Sequence, residues 1–110
     1  MNKTVGELQE YIRKVNLERG FEGTTVPELF VYLMEELGEM AKETRRIRKM
    51  HVESNDKVLD DEAQKVELGH EMADTLNVLL ALANRVDIDL EKSFWEKEEI
   101  NNKRTWGKKN

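Results

Sequence analysis

The sequence predicts an all-α fold, a four-helix bundle in a single domain over residues 1–110. Helix-favouring glutamate, lysine, leucine and alanine dominate the composition. The β-branched and aromatic residues that favour strands never form an alternating run, whereas apolar residues recur at helical spacing in four segments. Because isolated helices are marginally stable, we expect the four to pack on each other or on a second chain.

The first helix is predicted to begin after Thr4. Thr4 and Glu7 have the spacing of a capping box, in which each side chain accepts a hydrogen bond from the other residue's backbone. Gly20 marks the end of this helix, because glycine readily adopts the left-handed conformation that follows a last helical turn. Its apolar residues are Val5, Leu8, Tyr11, Ile12 and Val15.

A second capping box, Thr25 to Glu28, predicts a longer helix that has Pro27 in its first turn, where proline is tolerated. The basic tract 45–49 lies near the end of this helix, where the helix dipole favours cations. Helical periodicity lapses over 51–60, which predicts a turn. The apolar stripe of this helix is Leu29, Phe30, Leu33, Leu37 and Met40, followed by Thr44 and Ile47.

Two more helices complete the predicted bundle. Asp60 or Asp61 can cap a third helix that runs to about Arg85. A short turn over 86–89 follows, and Asp89 caps a fourth helix that reaches about Arg104, before a polar tail over 105–110. The apolar residues of the third helix are Val66, Met72, Ala73, Leu76, Leu79, Leu80 and Ala83.

Composition excludes several classes of function. The chain has no cysteine, which excludes a disulfide scaffold, a zinc–thiolate site and thiol catalysis, and suits the cytoplasm. Its longest apolar run, 78–83, is far shorter than the ~20 residues that span a bilayer. A net charge of −5 disfavours nucleic acid as a partner. We therefore expect a cytoplasmic protein with no membrane or nucleic-acid partner.

Two pairs of acids border the apolar stripes. Glu36 and Glu39 are three positions apart on the second helix, and Glu71 and Asp74 repeat this spacing on the third. Residues three apart lie within about 60° of each other on one helix face. If the pairs faced each other, their repulsion would require a cation, and carboxylate oxygens suit Mg²⁺ or Mn²⁺. Spacing alone favours two solvent-exposed acidic faces, because E-x-x-E is common in acidic helices.

Around these acids the sequence resembles the MazG-like nucleotide pyrophosphohydrolases, of the all-α NTP pyrophosphatase superfamily. The family signature is E-x-x-E on one helix and E-x-x-D on a later one, which Glu36 with Glu39 and Glu71 with Asp74 match. The resemblance covers about residues 26–104, and the first helix fits by position only. The flanks of the first motif and the end of the domain also match, at Leu33, Glu35, Met40 and Ala41 and then the IDLE run at 88–91, Lys97, Asn101 and Arg104.

The resemblance implies hydrolysis of a nucleoside triphosphate between its α and β phosphates, giving a monophosphate and pyrophosphate. Mg²⁺, for which Mn²⁺ can substitute, would polarise phosphate oxygens and activate a water, and Glu36 is our choice of general base. A homo-oligomer, dimer or tetramer, is implied because relatives usually pair chains. Clearing unwanted nucleotides is one role that such an activity serves. The implied metal ligands and catalytic residues are Glu36, Glu39, Glu71 and Asp74, and the implied substrate contacts are Lys97, Asn101 and Arg104.

The sequence departs from the family pattern at three places. The 31 residues between the two motifs, 40–70, make a long gap for the family. Asp87 stands where relatives often have glycine, and aspartate tolerates a left-handed turn. His70 stands where many relatives have an acid.

Alternatives to this function stay open. A phosphoribosyl-ATP pyrophosphatase uses similar carboxylates, and a non-catalytic helical adaptor would need acids only for solubility. Glu67 and His70 form one E-x-x-H element of a di-iron bundle, but Arg48 stands where the second element around His51 needs glutamate. Other residues have both a structural and a functional interpretation: Asn77 as a core amide or substrate contact, Phe21 and Phe30 as core or base-stacking residues, and 45–49 as a solvated helix end or an attractant for phosphates.

Overall fold

The computed structural model of the chain describes residues 2–47 and 61–105. Within these ranges the chain forms four helices and no strand, which confirms the all-α prediction. The expected turn over 51–60, the cap Asp60 and most of the polar tail lie outside the described residues. The helices are α1 (Val5–Glu18), α2 (Val26–Ile47), α3 (Asp61–Arg85) and α4 (Leu90–Asn102).

Both predicted capping boxes are present. The Thr4 hydroxyl accepts a hydrogen bond from the Glu7 N–H at 3.0 Å, and the Glu7 carboxylate accepts one from the Thr4 N–H at 3.1 Å. At the start of α2, Thr25 and Glu28 make the same reciprocal pair of bonds, both at 3.2 Å. These bonds satisfy backbone donors that have no partner inside a helix, which fixes where α1 and α2 begin.

The connections between helices follow from local chemistry as well. Gly20, just past the end of α1, has φ 77°, and Asp87, in the turn after α3, has φ 61°. The left-handed turn that Asp87 was expected to tolerate is therefore observed. Asp89 caps α4 by accepting a hydrogen bond from the Lys92 N–H at 3.0 Å. Helix α4 ends at Asn102, two residues earlier than expected.

The core lies where α1, α2 and α3 meet. Helix α2 packs along α3, and α1 packs against α3 and α4. Leu29 of α2 lies in one cluster with residues from the second half of α3, whereas the Glu36 carboxylate lies beside those of Glu71 and Asp74, farther back along α3. The two helices are therefore antiparallel. The buried cluster consists of Ile12, Val15, Leu29, Leu80 and Ala81.

A buried amide joins the start of α4 to α1. Gln9 is 7% exposed, and its side chain donates to the Ile88 carbonyl at 2.6 Å and accepts from the Leu90 N–H at 3.1 Å. Asn84 donates to the Gln9 carbonyl at 2.9 Å, and the Glu91 carboxylate accepts from the Gly6 N–H at 2.9 Å. These bonds hold α4 against α1.

Several residues of the predicted apolar stripes are exposed. Phe30 is 54% exposed, Val66 53%, Met72 52% and Leu76 43%. Of the predicted stripe residues, Ile12, Val15, Leu29, Leu80 and Ala83 are buried. Three helices that converge on a small core cover only part of each apolar stripe. Within 2–47 and 61–105, no helix combines the length and apolarity needed to cross a bilayer.

Candidate functional site

The structure brings together acids from both sequence motifs. Carboxylate oxygens of Glu36, Glu71 and Asp74 all lie within 4.8 Å of one another. Glu36 comes from α2 and the other two come from α3, so the cluster forms only because the two helices pack antiparallel with this register. Glu36 and Glu71 are half-buried and Asp74 is exposed, which leaves the cluster open on one side.

Electrostatic repulsion within the cluster is evident at Glu71. Burial is the largest cause that raises the pKa of Glu71 above its ordinary value, and the negative charge of Glu36 comes next. Asp74, a hydrogen bond with Glu36, and Glu39 raise the pKa further. All these effects disfavour the ionised form of the Glu71 carboxylate. A bound cation would oppose them by favouring the ionised form.

Glu39 lies at the edge of the cluster. It is exposed and does not belong to the group of three whose oxygens approach within 4.8 Å, yet its charge is close enough to raise the pKa of Glu71. It stands one helical turn after Glu36 on α2. The four acids that the sequence singled out therefore occupy one region of the α2–α3 surface.

A cavity of about 600 Å³ adjoins this cluster, and Glu36 belongs to both. Helices α1, α2 and α3 and the loop between α1 and α2 surround it. Its volume lies in the range of small-molecule sites. The lining residues are Arg13, Asn16, Arg19, Phe21, Glu22, Thr24, Leu29, Tyr32, Glu35, Glu36, Asn77, Val78, Ala81, Asn84 and Arg85.

The cavity has three zones along the antiparallel α2–α3 pair. Glu35, Glu36 and Asn77 form the end beside the acid cluster. The apolar residues Leu29, Val78 and Ala81 form the middle, together with the rings of Phe21 and Tyr32, which are 56% and 45% exposed. Two arginines occupy the opposite zone, named here the arginine end: Arg85 itself and Arg13, which donates to the Asn84 side chain. Arg19 also lines the cavity.

The predicted substrate contacts on α4 lie elsewhere. Lys97 and Asn101 belong to α4, and Arg104 follows its end. Helix α4 packs against α1, and none of the three residues lines the cavity. The structure therefore gathers the four acids in one place but does not bring the α4 residues to the cavity of the same chain.

The structure distinguishes among the residues for which the sequence allowed both a structural and a functional interpretation. Asn77 and Phe21 line the cavity, whereas Phe30 does not. Arg46 pairs at 3.4 Å with Glu43, which is 7% exposed, so part of the basic tract has a structural role. The end of that tract, 48–49, lies outside the described residues, as does His51.

The E-x-x-H element of the rejected di-iron site is exposed at both its residues. Glu67 and His70 both face solvent, and neither belongs to the cluster of carboxylates. Their surroundings in the described part of the chain give no sign of a metal site distinct from the three acids.

The arginine end is not apparent in the sequence. Arg13 and Arg19 belong to the region that resembled the family by position only, and Arg85 was identified only as the last residue of a helix. No local spacing relates Arg13 to Arg85, because the two reach the same end of the cavity only through the packing of α1 on α3. An excess of arginine near the ends of two helices was the only available signal.

No protein-family model matches the sequence, and no curated protein matches it.

Proposed function

We propose that this chain is a MazG-like nucleotide pyrophosphohydrolase, which hydrolyses a nucleoside triphosphate to its monophosphate and pyrophosphate with Mg²⁺. The observation that carries the proposal is the approach of Glu36, Glu71 and Asp74 to within 4.8 Å. These acids come from the two motifs on which the resemblance rests, and the two motifs lie far apart in the chain. If they served only solubility, nothing would favour gathering them against their mutual repulsion.

The donor set fits Mg²⁺. Magnesium prefers oxygen ligands at about 2.1 Å in an octahedral arrangement and commonly binds through one or two carboxylates with waters and phosphates. Glu36, Glu71 and Asp74 supply oxygens only, and Glu39 is the next acid within electrostatic reach. When bound there, Mg²⁺ or Mn²⁺ would supply Lewis-acid polarisation of phosphate oxygens. The carboxylates' own role is to hold that charge beside the cavity.

The position of Glu36 suits it to accept a proton. It is the one acid that belongs both to the group of three and to the cavity lining. A carboxylate in that position can take the proton of a water that attacks a phosphate lying across the cavity mouth. Glu71 is less well placed for this role, because it does not line the cavity.

The remaining cavity residues supply binding. The amide of Asn77 adjoins the acid end, where it can donate to a phosphate or sugar oxygen. The apolar surface of Val78 and Ala81, with the rings of Phe21 and Tyr32, offers contact for a flat base. Binding the base there would leave the triphosphate beside the carboxylates, which orients the bond to be broken.

Oligomerisation and location belong to the same proposal. Trp95, Phe94 and Ile100 of α4 are 66%, 52% and 52% exposed, and Met34 of α2 is 56% exposed. Pairing chains would cover such surface, and a second chain could bring Lys97, Asn101 and Arg104 to a cavity that they do not line in their own chain. We propose a cytoplasmic homo-oligomer, whose acidic net charge of −5 disfavours nucleic acid as a partner.

The experiment that tests the function is incubation of the purified protein with Mg²⁺ and a panel of canonical and modified nucleoside triphosphates. Products are separated by anion-exchange chromatography, which distinguishes pyrophosphate from single-phosphate release. We expect a monophosphate and pyrophosphate, and loss of both in Asp74→Ala. Glu67→Ala is the matched control, because Glu67 is an exposed acid of α3 outside the group of three.

The opposite result has a definite meaning. No turnover of any triphosphate, together with no thermal stabilisation by Mg²⁺ and nucleotide, would contradict the proposal. In that case phosphoribosyl-ATP is the next substrate to supply, and failure there would favour the non-catalytic adaptor. Stabilisation by ligand is informative without turnover, because any ligand that binds the folded state raises its melting temperature.

A further inference from the structure

Three polar side chains that line the cavity have no partner within the part of the chain that the structure describes. They are Asn16 of α1, Arg19 just past the end of α1, and Asn77 of α3. Both amides are half-buried, and the arginine is exposed. By contrast, the two guanidinium groups of the arginine end already donate to oxygens of the chain. The three unpartnered side chains are therefore the ones that remain open to a ligand.

Contacts between α1 and the end of α3 fix how these two helices lie against each other. The Gln9 side chain donates to the Ile88 carbonyl at 2.6 Å. Arg13, four positions later, donates to the Asn84 side chain at 3.1 Å, four positions earlier than the first contact. A step forward along α1 thus corresponds to an equal step backward along α3, and the two helices are antiparallel.

This register brings Arg19 to the acid end of the cavity. Six positions beyond the last of these contacts on α1 correspond to residues 77–78 of α3. Asn77 is one helical turn after Asp74, and it lines the cavity together with Arg19 and Glu36. The guanidinium makes no ion pair with a carboxylate of the described chain. An unpaired cation from α1 therefore shares this end of the cavity with the acids of α2 and α3.

The proposed reaction needs a cation at this end besides the divalent ion, because a triphosphate carries more negative charge than one such ion neutralises. When water attacks the α phosphorus, its proton passes to Glu36. The bond from that phosphorus to the α–β bridging oxygen breaks, and its electron pair stays on the oxygen, which leaves as part of pyrophosphate. A guanidinium presents a planar fork of donors that matches phosphate oxygens.

We propose that Arg19 binds the β and γ phosphates of the substrate and stabilises the charge of the departing pyrophosphate. The inference rests on the proposed function and adds to it a residue from the N-terminal region, where the resemblance implied no site residue. Asn16, one helical turn before Arg19, and Asn77 on the α3 wall supply uncharged donors at the same phosphates. These residues act within their own chain, unlike the α4 residues, which do not line its cavity.

The test uses inorganic pyrophosphate, a probe that has no base and so does not depend on base preference. Isothermal titration calorimetry in the presence of Mg²⁺ measures its affinity for the unsubstituted protein and for two variants. We expect Arg19→Gln to bind it about tenfold more weakly, because a charge-assisted pair of hydrogen bonds is lost. Lys14→Gln should bind it as the unsubstituted protein does. Lys14 is the matched control, since it is an exposed cation of α1 that does not line the cavity.

Two further measurements separate a role at the phosphates from a structural one. The Arg19 side chain is exposed and unpartnered in the described chain, so Arg19→Gln should melt at the temperature of the unsubstituted protein. The four common deoxynucleoside monophosphates should bind it as before, because they lack the phosphates that leave. In turnover assays kcat should fall about tenfold or more, since the charge that Arg19 binds grows as the bond breaks.

Failure of this inference differs from failure of the proposed function. Equal affinity of Arg19→Gln and the unsubstituted protein for pyrophosphate, or an equal loss of affinity for the monophosphates, would overturn the role of Arg19. Turnover of triphosphates to pyrophosphate with either result leaves the proposed function standing. No binding of pyrophosphate with Mg²⁺, together with no turnover of any triphosphate, would overturn both.

Discussion

The two ends of the cavity are built from opposite charges by different means. The acid end depends on two short motifs, each within one helix, that face each other across the α2–α3 contact. The arginine end depends on two residues from separate parts of the chain, Arg13 and Arg85. One end is therefore visible in the sequence, and the other exists only in the folded chain.

The two ends also differ in how their charge is balanced. Every neighbour that shifts the pKa of Glu71 raises it, so the acids destabilise one another in the folded chain. At the arginine end, Arg13 has an acid and an amide as partners and Arg85 has a backbone carbonyl. Of the two ends, the fold therefore leaves a cluster of like charge unbalanced only at the acid end, where we expect a cation to bind.

The largest expected effect would break the acid end alone. Glu36→Gln should lower kcat by about 100- to 10,000-fold, because it removes the proposed proton acceptor and one metal ligand. Glu35→Gln is the matched control, since this neighbour lines the cavity but lies outside the group of three. Steady-state pyrophosphate release measures both variants. Equal losses of kcat in the two variants would contradict a specific role for Glu36 and would show that only the total negative charge at the cavity mouth matters.

A core substitution should weaken both ends together. Leu80 is 2% exposed and packs with Leu29 beneath the middle of the cavity. Leu80→Ala should lower the free energy of unfolding by about 2–5 kcal/mol, through lost burial and the space left behind. The adjacent Leu79 is 38% exposed, so Leu79→Ala should lower the free energy of unfolding by clearly less. Urea unfolding followed by circular dichroism measures both, and equal losses would contradict the assigned core.

A smaller effect is expected at the α2 cap, beside the arginine end. Thr25→Ala should lower the free energy of unfolding by about 0.5–2 kcal/mol, because it removes the hydroxyl that accepts from the Glu28 N–H. Thr44→Ala on the same helix is the control, since its hydroxyl only adds a second bond to the Met40 carbonyl. Thermal unfolding of both variants would compare them. A larger loss from Thr44→Ala would be inconsistent with the cap.

The smallest effect concerns the pH dependence of the metal-free protein. The folded pKa of Glu71 lies above the ordinary value of 4.5, so between those two values the folded state binds more protons than the unfolded state. Stability should therefore fall as pH rises from 4.5 through the raised pKa. Because the cluster is partly exposed, we expect a change of only a few degrees in melting temperature.

Two comparisons isolate this contribution. Glu71→Gln should remove this part of the pH dependence and raise the melting temperature of the metal-free protein at neutral pH, because it relieves repulsion from Glu36 and Asp74. Mg²⁺ should have a similar stabilising effect on the unsubstituted protein but not on the variant. Melting curves across pH, with and without Mg²⁺, measure both. A lower melting temperature in Glu71→Gln would contradict the repulsion.

Much of the fold could be predicted from local patterns. The capping boxes at Thr4 and Thr25, the cap at Asp89 and the left-handed turn at Asp87 are interactions within four residues of chain. Such interactions depend on residue type and spacing alone, so the sequence is sufficient to identify them. Burial was predicted less well. Phe30 and Met72 fit the apolar stripes but are exposed, because only packing decides which part of a stripe is covered.

Residue types and their spacing were enough to predict that this protein is helical, where its helices begin, and which four acids stand in pairs on helix faces. Only the packing of the helices makes Glu36, Glu71 and Asp74 meet, leaves Lys97 and Asn101 outside the cavity lining, and puts Arg13 and Arg85 at the far end of the cavity. The two kinds of feature differ because they depend on interactions of different range along the chain. Caps and helix faces follow from neighbours within one or two turns, whereas a shared cavity depends on the register and direction in which whole helices pack.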